Sequence, residues 1–359
     1  MHDCTSCWLN AKYQDLRSAS IHSEGAKIGD QTILLVDDEY IERSLSIFDR
    51  ELRHPQVRNN GKPIIVGDQP WEFPKEGDIT MDAATKQGHR VNTSRASVSF
   101  YGSVFFEAGV WSLFYMCPHS FTVLFANSTD GVKWNKPALQ LDGSNRLSLP
   151  ATGAFSIYDD ANERNMSRRF KMVLANNMSM ATLAYSHDRM TWHPYNDYKA
   201  VTGRAADTYN TLTWLPGAQQ YLLVTRTDFS TRDGWREVRG VRFETSPSLD
   251  DPSSTFTPVT EWYLDREGKQ ERCRRQLYGL THTYYAGVYI GLAIVLEYPR
   301  VLSEDFNNKT GRPELNFEVR HEYDVLNVYL TTSRNGIDWD LSWLYKGIGY
   351  KSFMINEWH

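Results

Sequence analysis

The chain has 359 residues, 41% hydrophobic and 13% aromatic, with 39 Lys and Arg against 44 Asp and Glu and a formal net charge of -5. That composition supplies a large core, and its Trp and Tyr suit strands or ring-stacking surfaces. With no basic block there is no footprint for nucleic acid or an anionic membrane, and the longest apolar strand candidate, Val288 to Leu296, falls far short of the roughly 18 residues of a spanning helix.

The chain begins MHDCTSCW with no intact signal peptide, as a mature N-terminus carrying an added initiator Met would. Residues 1–30 are polar and weakly patterned and are expected to form an arm over a single domain spanning 31–359. Five N-x-S/T sequons, at Asn92, Asn127, Asn165, Asn177 and Asn308, point to a secretory or extracellular protein with surface glycans. Cys4, Cys7, Cys117 and Cys273 admit three pairings. Cys4-x-x-Cys7 lacks the second CxxC or His pair of a zinc site and is read as a terminal disulfide or unpaired thiols.

Beyond the arm the chain is nearly all strand-like. TILLVDDEYI, SVFFEAGVWSLFYM, FTVLFANS, RFKMVLAN, TLAYS, QQYLLVTR, GVYIGLAIVLEY and NVYLTTS are separated by Gly, Asn and Asp turns. Within THTYYAGVYIGL, Thr281 to Leu292, a tight turn at Ala286-Gly287 joins two strands.

An internal repeat organises these strands. ANSTDGVKW, AYSHDRMTW, ETSPSLDDPSSTFTP and TTSRNGIDW each place a Ser at a strand end followed by a turn, at Ser128, Ser186, Ser246 and Ser333. The spacings are 58, 60 and 87 residues, and in three of the four units a Trp follows six residues after the Ser. A strand-turn-Trp unit at this period marks propeller blades, with the Trp plugging the space between them. The expected fold is an all-β, five-bladed β-propeller whose closing blade is shared by N- and C-terminal strands, TILLVDDEYIER and YKSFMINEW, which removes free edges.

In a propeller the innermost strand of each blade lines the axial pocket. The candidates are Ser97 to Glu107, Ala154 to Asp160, Asp207 to Trp214 and Gln276 to Tyr284. Asp37, Asp38, Glu72, Asp159, Asp160 and Asp207 lie near their ends or on the closing strand, where a facing pair would act as general acid and base. Asp159-Asp160 also suits a hairpin turn, and Asp37-Asp38 structural hydrogen bonding. Arg226 ends a strand, and Arg236, Arg239 and Arg242 follow in WREVRGVRF; an inward arginine grips a carboxylate, enolate or hydroxy-ketone, an outward one a surface partner. His282 is a candidate proton donor or a structural strand histidine. Tyr278, Tyr284, Tyr285, Trp71 and Trp214 are candidate aromatic walls for a small-molecule substrate. No G-x-S-x-G, H-E-x-x-H, P-loop or dinucleotide fingerprint occurs, so neither cofactor nor metal is expected.

Over residues 31 to 345, LLVDDEYIERS, DQPWE (Asp68 to Glu72), the SxDGxxW blade endings and TTSRNGIDW resemble the five-bladed propeller proteins related to arabinanases, invertases and other furanosidases. The resemblance implies a nucleophile or base on one inner strand, matched by Asp38 or Asp207, and a protonated carboxylic acid across the pocket. Where that pattern would carry a Tyr-Glu pair, Tyr284-Tyr285 stands instead, and Glu261, Glu297 and Glu322 are the other acids within reach of the role. A phenol donates poorly to a glycosidic oxygen, and lost general-acid assistance costs about 10² to 10⁴ in rate.

The overall profile, a single propeller with sequons and no carbohydrate-binding appendage, looks like the fungal hetero-Diels-Alderases that join a tropolone-derived quinone methide to a humulene-type sesquiterpene. Such a reaction needs orientation in an aromatic pocket rather than paired carboxylates. The resemblance then implies Arg226 or His282 as hydrogen-bond donor to the reacting oxygen, with Tyr284, Tyr285, Trp71 and Trp214 shaping the cavity. The alternatives are a furanoside hydrolase or transglycosidase with paired carboxylates, and a glycan-binding propeller without them.

Overall fold

The computed structural model describes residues 59, 62–74, 79–81, 88–90, 98–203, 208–227, 239–250, 256–263, 275–297, 325–340 and 354–356. They are strands and short 3-10 turns. A small pair, β1 (Ile79–Met81) and β2 (Gly88–Arg90), precedes four antiparallel meanders. The first sheet is β3 (Ser99–Glu107), β4 (Val110–Cys117) and β5 (Thr122–Ser128), and the second is β6 (Phe155–Asp159), β7 (Phe170–Ala175), β8 (Ala181–Ser186) and β9 (His193–Pro194). The third is β10 (Thr211–Leu215), β11 (Gln220–Arg226), β12 (Gly240–Ser246) and β13 (Thr257–Tyr263). The fourth is β14 (Arg275–Tyr285), β15 (Val288–Glu297), β16 (Val325–Ser333) and β17 (Met354–Asn356). No described helix is long and apolar enough to cross a membrane.

Each sheet buries both faces because its strands alternate two apolar sets. On β4, Phe114 and Met116 pack with Phe155, Ile157 and Met172 of the second sheet, while Leu113, Tyr115 and Cys117 face Ile65, Trp71 and Trp134 on the other side. On β11, Leu223 packs with Val173 and Leu183 of the second sheet, and Leu222 and Val224 with Leu277, Leu280 and Val295 of the fourth. Leu222, Leu223 and Val224 are each 0% exposed, and full burial of such a side chain stabilises by about 1.5–3 kcal/mol. Four meanders stacked face to face in chain order fit four blades of a propeller. The segment TILLVDDEYIER lies outside the described residues, so the closing blade is not seen. Met354–Asn356, from the C-terminal segment expected to share that blade, instead pairs with β16 and completes the fourth sheet. It thereby pairs the outer edge of β16 over Leu326, Asn327 and Val328.

The repeated serine ends the third strand of every sheet: Ser128, Ser186, Ser246 and Ser333 close β5, β8, β12 and β16. Its hydroxyl accepts the backbone N–H of Gly131 (2.9 Å), Arg189 (2.9 Å) or Gly336 (2.9 Å). The side-chain oxygen two residues on, of Asp130, Asp188 or Asn335, then accepts two further N–H groups. These bonds turn the chain through a left-handed residue, Gly131, Arg189 or Gly336. They deliver Trp192 and Trp339 into the inter-sheet cores, where each indole N–H donates to the carbonyl three residues back. In the Ser246 unit the residue two on is Ser248, and the Ser246 hydroxyl donates to Ser248 O.

Of the sequons, Asn165 and Asn177 are exposed and Asn127 is half-buried on β5; Asn92 and Asn308 lie outside the described residues. Cys117 is a free, buried thiol, and the other three cysteines lie outside the described residues.

Candidate functional site

The four first strands, β3, β6, β10 and β14, lie side by side and run in the same direction. Ser103 Oγ accepts from Ile157 N (2.8 Å), Ser156 Oγ donates to Asn210 O, and Trp214 N donates to Tyr158 Oη (3.2 Å). Thr211 Oγ1 donates to Leu280 O (3.5 Å). Residue numbers rise together across every pair, from Gly102–Phe155 to Ser103–Ile157, from Ser156–Asn210 to Tyr158–Trp214 and from Tyr209–Gly279 to Thr211–Leu280, so the four strands begin at one end of the assembly and finish at the other.

At the starting end, side chains from three sheets converge. Tyr101 Oη of β3 and Tyr278 Oη of β14 are 2.7 Å apart. Tyr209, just before β10, sets its ring 4.9 Å from that of Tyr101 and 6.3 Å from that of Tyr278. Arg239, just before β12, holds its guanidinium 5.2 Å from the Tyr278 ring centre, a cation–π geometry. Burial pushes the Tyr209 hydroxyl above its ordinary value, so it remains a neutral phenol.

Two backbone irregularities create this meeting. The β14–β15 register shifts between Leu277 and Gly279, across Tyr278, and the β3–β4 register shifts between Ser99 and Ser103, across Tyr101. A bulge re-aims the side chain it carries. Each tyrosine precedes a glycine, and the packing requires the one at Gly102 and closely approaches the one at Gly279. A Cβ at Gly102 would stand 2.0 Å from Phe114 O, and one at Gly279 would stand 3.0 Å from Tyr209 Cδ2.

Among the expected site residues, Tyr278 and Arg239 belong to this cluster. Arg226 ends β11 at the same end, since it pairs with Val241, and is 4% exposed. Asp207 and Asp38 lie outside the described residues, as do Asp37, Arg236 and Glu322. Tyr284 and Tyr285 do not join Tyr278. Seven residues at about 3.3 Å place Tyr285 roughly 23 Å along the strand, beside the Ala286-Gly287 turn, where the two are 50% and 55% exposed. The alternation and turn of THTYYAGVYIGL are as expected, but the direction of β14 puts its tyrosine pair at the finishing end.

Trp214 and Asp159 also belong to that finishing end. Trp214 packs on Tyr221, with ring centres 4.8 Å apart, and Asp159 accepts both Nε and Nη2 of Arg169 at 2.7 Å. Asp160 is buried in an ion pair with Lys171 (3.0 Å) and accepts from Tyr221 Oη. His282 lies three residues before the strand end, its ring against Trp339 and Tyr289 and both ring nitrogens buried without a hydrogen-bond partner. Burial pulls its pKa down to about 4, so at neutral pH it is a neutral imidazole and not an imidazolium acid.

Trp71 and Glu72 lie against the face of the first sheet opposite the second sheet. Trp71 Nε1 donates to Asn145 Oδ1 (2.7 Å). Glu72 is 0% exposed and accepts from Lys136, Tyr115 and the backbone of Asp68 and Gln69, leaving it no capacity for substrate. Glu261 pairs with Arg242 on β12, and Glu297 is buried against Asn327 and Tyr329. Neither Tyr101 nor Tyr209 is singled out from sequence; the Tyr-Gly pair at 101–102, matched by 278–279 on another inner strand, is a signal for Tyr101, and Tyr209, followed by Asn210, has none. Among the described residues no group of three or more His, Cys, Asp or Glu side chains is placed to hold a metal ion.

No protein-family model matches the chain, and no curated protein matches it. Among solved structures it is similar to the GH32 β-fructofuranosidase of Bombyx mori, at 13% identity and a TM-score of 0.41, covering 64% of this chain and 47% of that one. It is similar to a fructofuranosidase from Schwanniomyces occidentalis at 13% identity and a TM-score of 0.40, covering 67% and 44%. A thermostable family-43 glycoside hydrolase is similar at 10% identity and a TM-score of 0.42, covering 66% and 69%. The chain thus spans about half the length of the two fructofuranosidases.

Proposed function

We propose that the chain is a non-hydrolytic biosynthetic enzyme that holds two reactants at the starting end of its inner strands and templates a hetero-Diels–Alder cycloaddition. The diene would be a tropolone-type quinone methide and its partner an apolar terpene. The observation that carries this reading is the convergence of Tyr101, Tyr209, Tyr278 and Arg239, a tilted aromatic surface edged by two hydroxyls and a cation. Planar rings stack on such a surface. Two new bonds form in one step without a protein nucleophile, so the demand on the site is orientation, a source of several kcal/mol. A hydrogen bond to the quinone-methide oxygen stabilises the charge that grows there in the transition state.

The test is incubation of the protein with a quinone-methide precursor and a humulene-type polyene, with product followed by mass spectrometry, and in parallel with a panel of furanosides. A single adduct formed faster and with one stereochemistry relative to the protein-free control is the expected result. Release of reducing sugar overturns the reading in favour of hydrolysis, with Asp207, adjacent to Thr208 in the chain, as the first carboxylate to replace. Binding of sugars without turnover would identify a glycan-binding propeller.

A further inference from the structure

Resting on that reading of the site, we propose that Phe121 is the specificity-determining residue for the apolar reactant, presented at the rim of the starting end by a turn that holds its backbone under strain. Phe121 closes the turn 118–121 between β4 and β5, with Cys117 paired to Thr122 across the base. Because β3 runs away from the starting end and β4 returns to it, this turn stands at that end. Ser99 of β3 pairs with Met116, so the turn also projects beyond the first residue of β3. Two strand spacings put it about 10 Å to the side of β3.

The backbone of Phe121 is left-handed, with φ at 50°, and the residue is 50% exposed. Glycine or asparagine adopts that conformation readily, whereas a bulky side chain there is strained. Tyr198, the other aromatic residue of positive φ among the described residues, offsets the strain by packing against the core of Phe114 and Phe155. Phe121 instead leaves half its surface in water. Strained residues persist where the surroundings fix them, and they gather at ligand sites.

The surroundings do fix this one. Phe121 O accepts Thr152 N (2.8 Å), and the buried Thr152 donates Oγ1 to Ala154 O (2.7 Å). Gly153 N then donates to Ala175 O (3.1 Å) at the end of β7. The chain entering the inner strand β6 is thereby held between the β4–β5 turn and the β7–β8 turn. The second turn carries Met178, which is 60% exposed. Tyr101 packs against the core that contains Ala154 and Ala175, so the apolar rim of Phe121 and Met178 borders the aromatic surface. The planar reactant lies on the tyrosines and the terpene covers the rim. A ring already fixed in place needs little further ordering to bind hydrocarbon.

The probe is humulene, with binding measured by equilibrium dialysis and turnover by steady-state kinetics. Phe121→Gly should raise the thermal midpoint by about 1–3 °C through relief of the left-handed strain. It should weaken humulene binding and raise the KM for the polyene by about 10-fold, with kcat and the KM for the quinone-methide precursor unchanged. Phe121→Leu, which keeps an apolar side chain, should bind humulene within about 3-fold of wild type. Failure of wild type to bind humulene overturns the proposal, as does a Phe121→Gly protein that binds it normally or is less stable than wild type. Phe121-dependent binding of humulene with no cycloadduct would retain this surface and remove the cycloaddition. Cycloadduct formed with the same polyene KM by wild type and Phe121→Gly would retain the reaction and remove this assignment.

Discussion

Lys136 and Glu72 form an ion pair 2.7 Å long whose side chains are 8% and 0% exposed, tying the segment around Pro70–Glu72 to the first sheet. Lys136 Nζ also donates to Asp68 Oδ1 and Val66 O, and Tyr115 Oη donates to Glu72 Oε1. Replacing Lys136 with Met leaves a buried carboxylate without its counter-charge, which costs about 3–5 kcal/mol. Lys136→Met should therefore unfold at markedly lower denaturant concentration, and adding Glu72→Gln to it should recover much of the loss.

His282 makes stability depend on pH. Its folded pKa, about 4 through burial, lies below the unfolded value near 6.5. The unfolded chain therefore takes up this proton first as pH falls. The stability contributed by neutral His282 is complete above about 6.5 and is lost progressively toward 4, by an order-of-magnitude 3 kcal/mol. His282→Phe should raise the melting temperature at pH 5 more than at pH 8, because it removes two buried nitrogens that have no partners. An equal shift at both pH values would show that the ring is not held neutral.

Asp188 shows what the repeated turn asks of its second residue. Burial by itself raises this carboxyl, but the N–H groups of Thr191 and Met190 and the Ser186 hydroxyl hold it below the usual range. A lowered folded pKa means that its stabilisation is present above the unfolded value of about 3.9 and lost as pH falls through the folded one. In the fourth sheet Asn335 makes the corresponding bonds without a charge. Asp188→Asn should thus be close to neutral at pH 7 and flatten the acid limb of the stability curve. Asp188→Ala, which removes the acceptor, should cost about 1 kcal/mol in urea denaturation at pH 7.

The turns Ala108-Gly109 and Ala286-Gly287 join first to second strands with positive φ at both residues, 51° and 80° in one, 49° and 82° in the other. This is the geometry of a two-residue type I′ hairpin, in which Asn-Gly is the favoured pair. Alanine at the first position pays the Cβ penalty of the left-handed region. Ala286→Asn should stabilise by about 0.5–1 kcal/mol, and Ala286→Val should destabilise by more, measured as opposite displacements of the thermal midpoint.

Much of the architecture is legible in the sequence because the devices that build it are local. Ser128, Ser186 and Ser333 bond groups two and three residues away, so the turn and its Trp recur as a pattern in the chain. The four inner strands, the Ala286-Gly287 turn and the alternating apolar faces are readable for the same reason, since a strand shows its two faces with a period of two. Tertiary structure alone decided which end of those strands holds the candidate site. Tyr101 and Tyr278 are 177 residues apart, and each sits at a register shift of its own strand, on first strands that lie parallel. Composition and spacing mark Tyr284 and Tyr285 as readily as Tyr278, because all three sit on one aromatic strand. Only the side-by-side alignment of β14 with β10, and of β10 with β6, places one of them with Tyr101 and the other two at the far end. The chemistry offered at either end follows from that alignment, which no stretch of the chain encodes by itself.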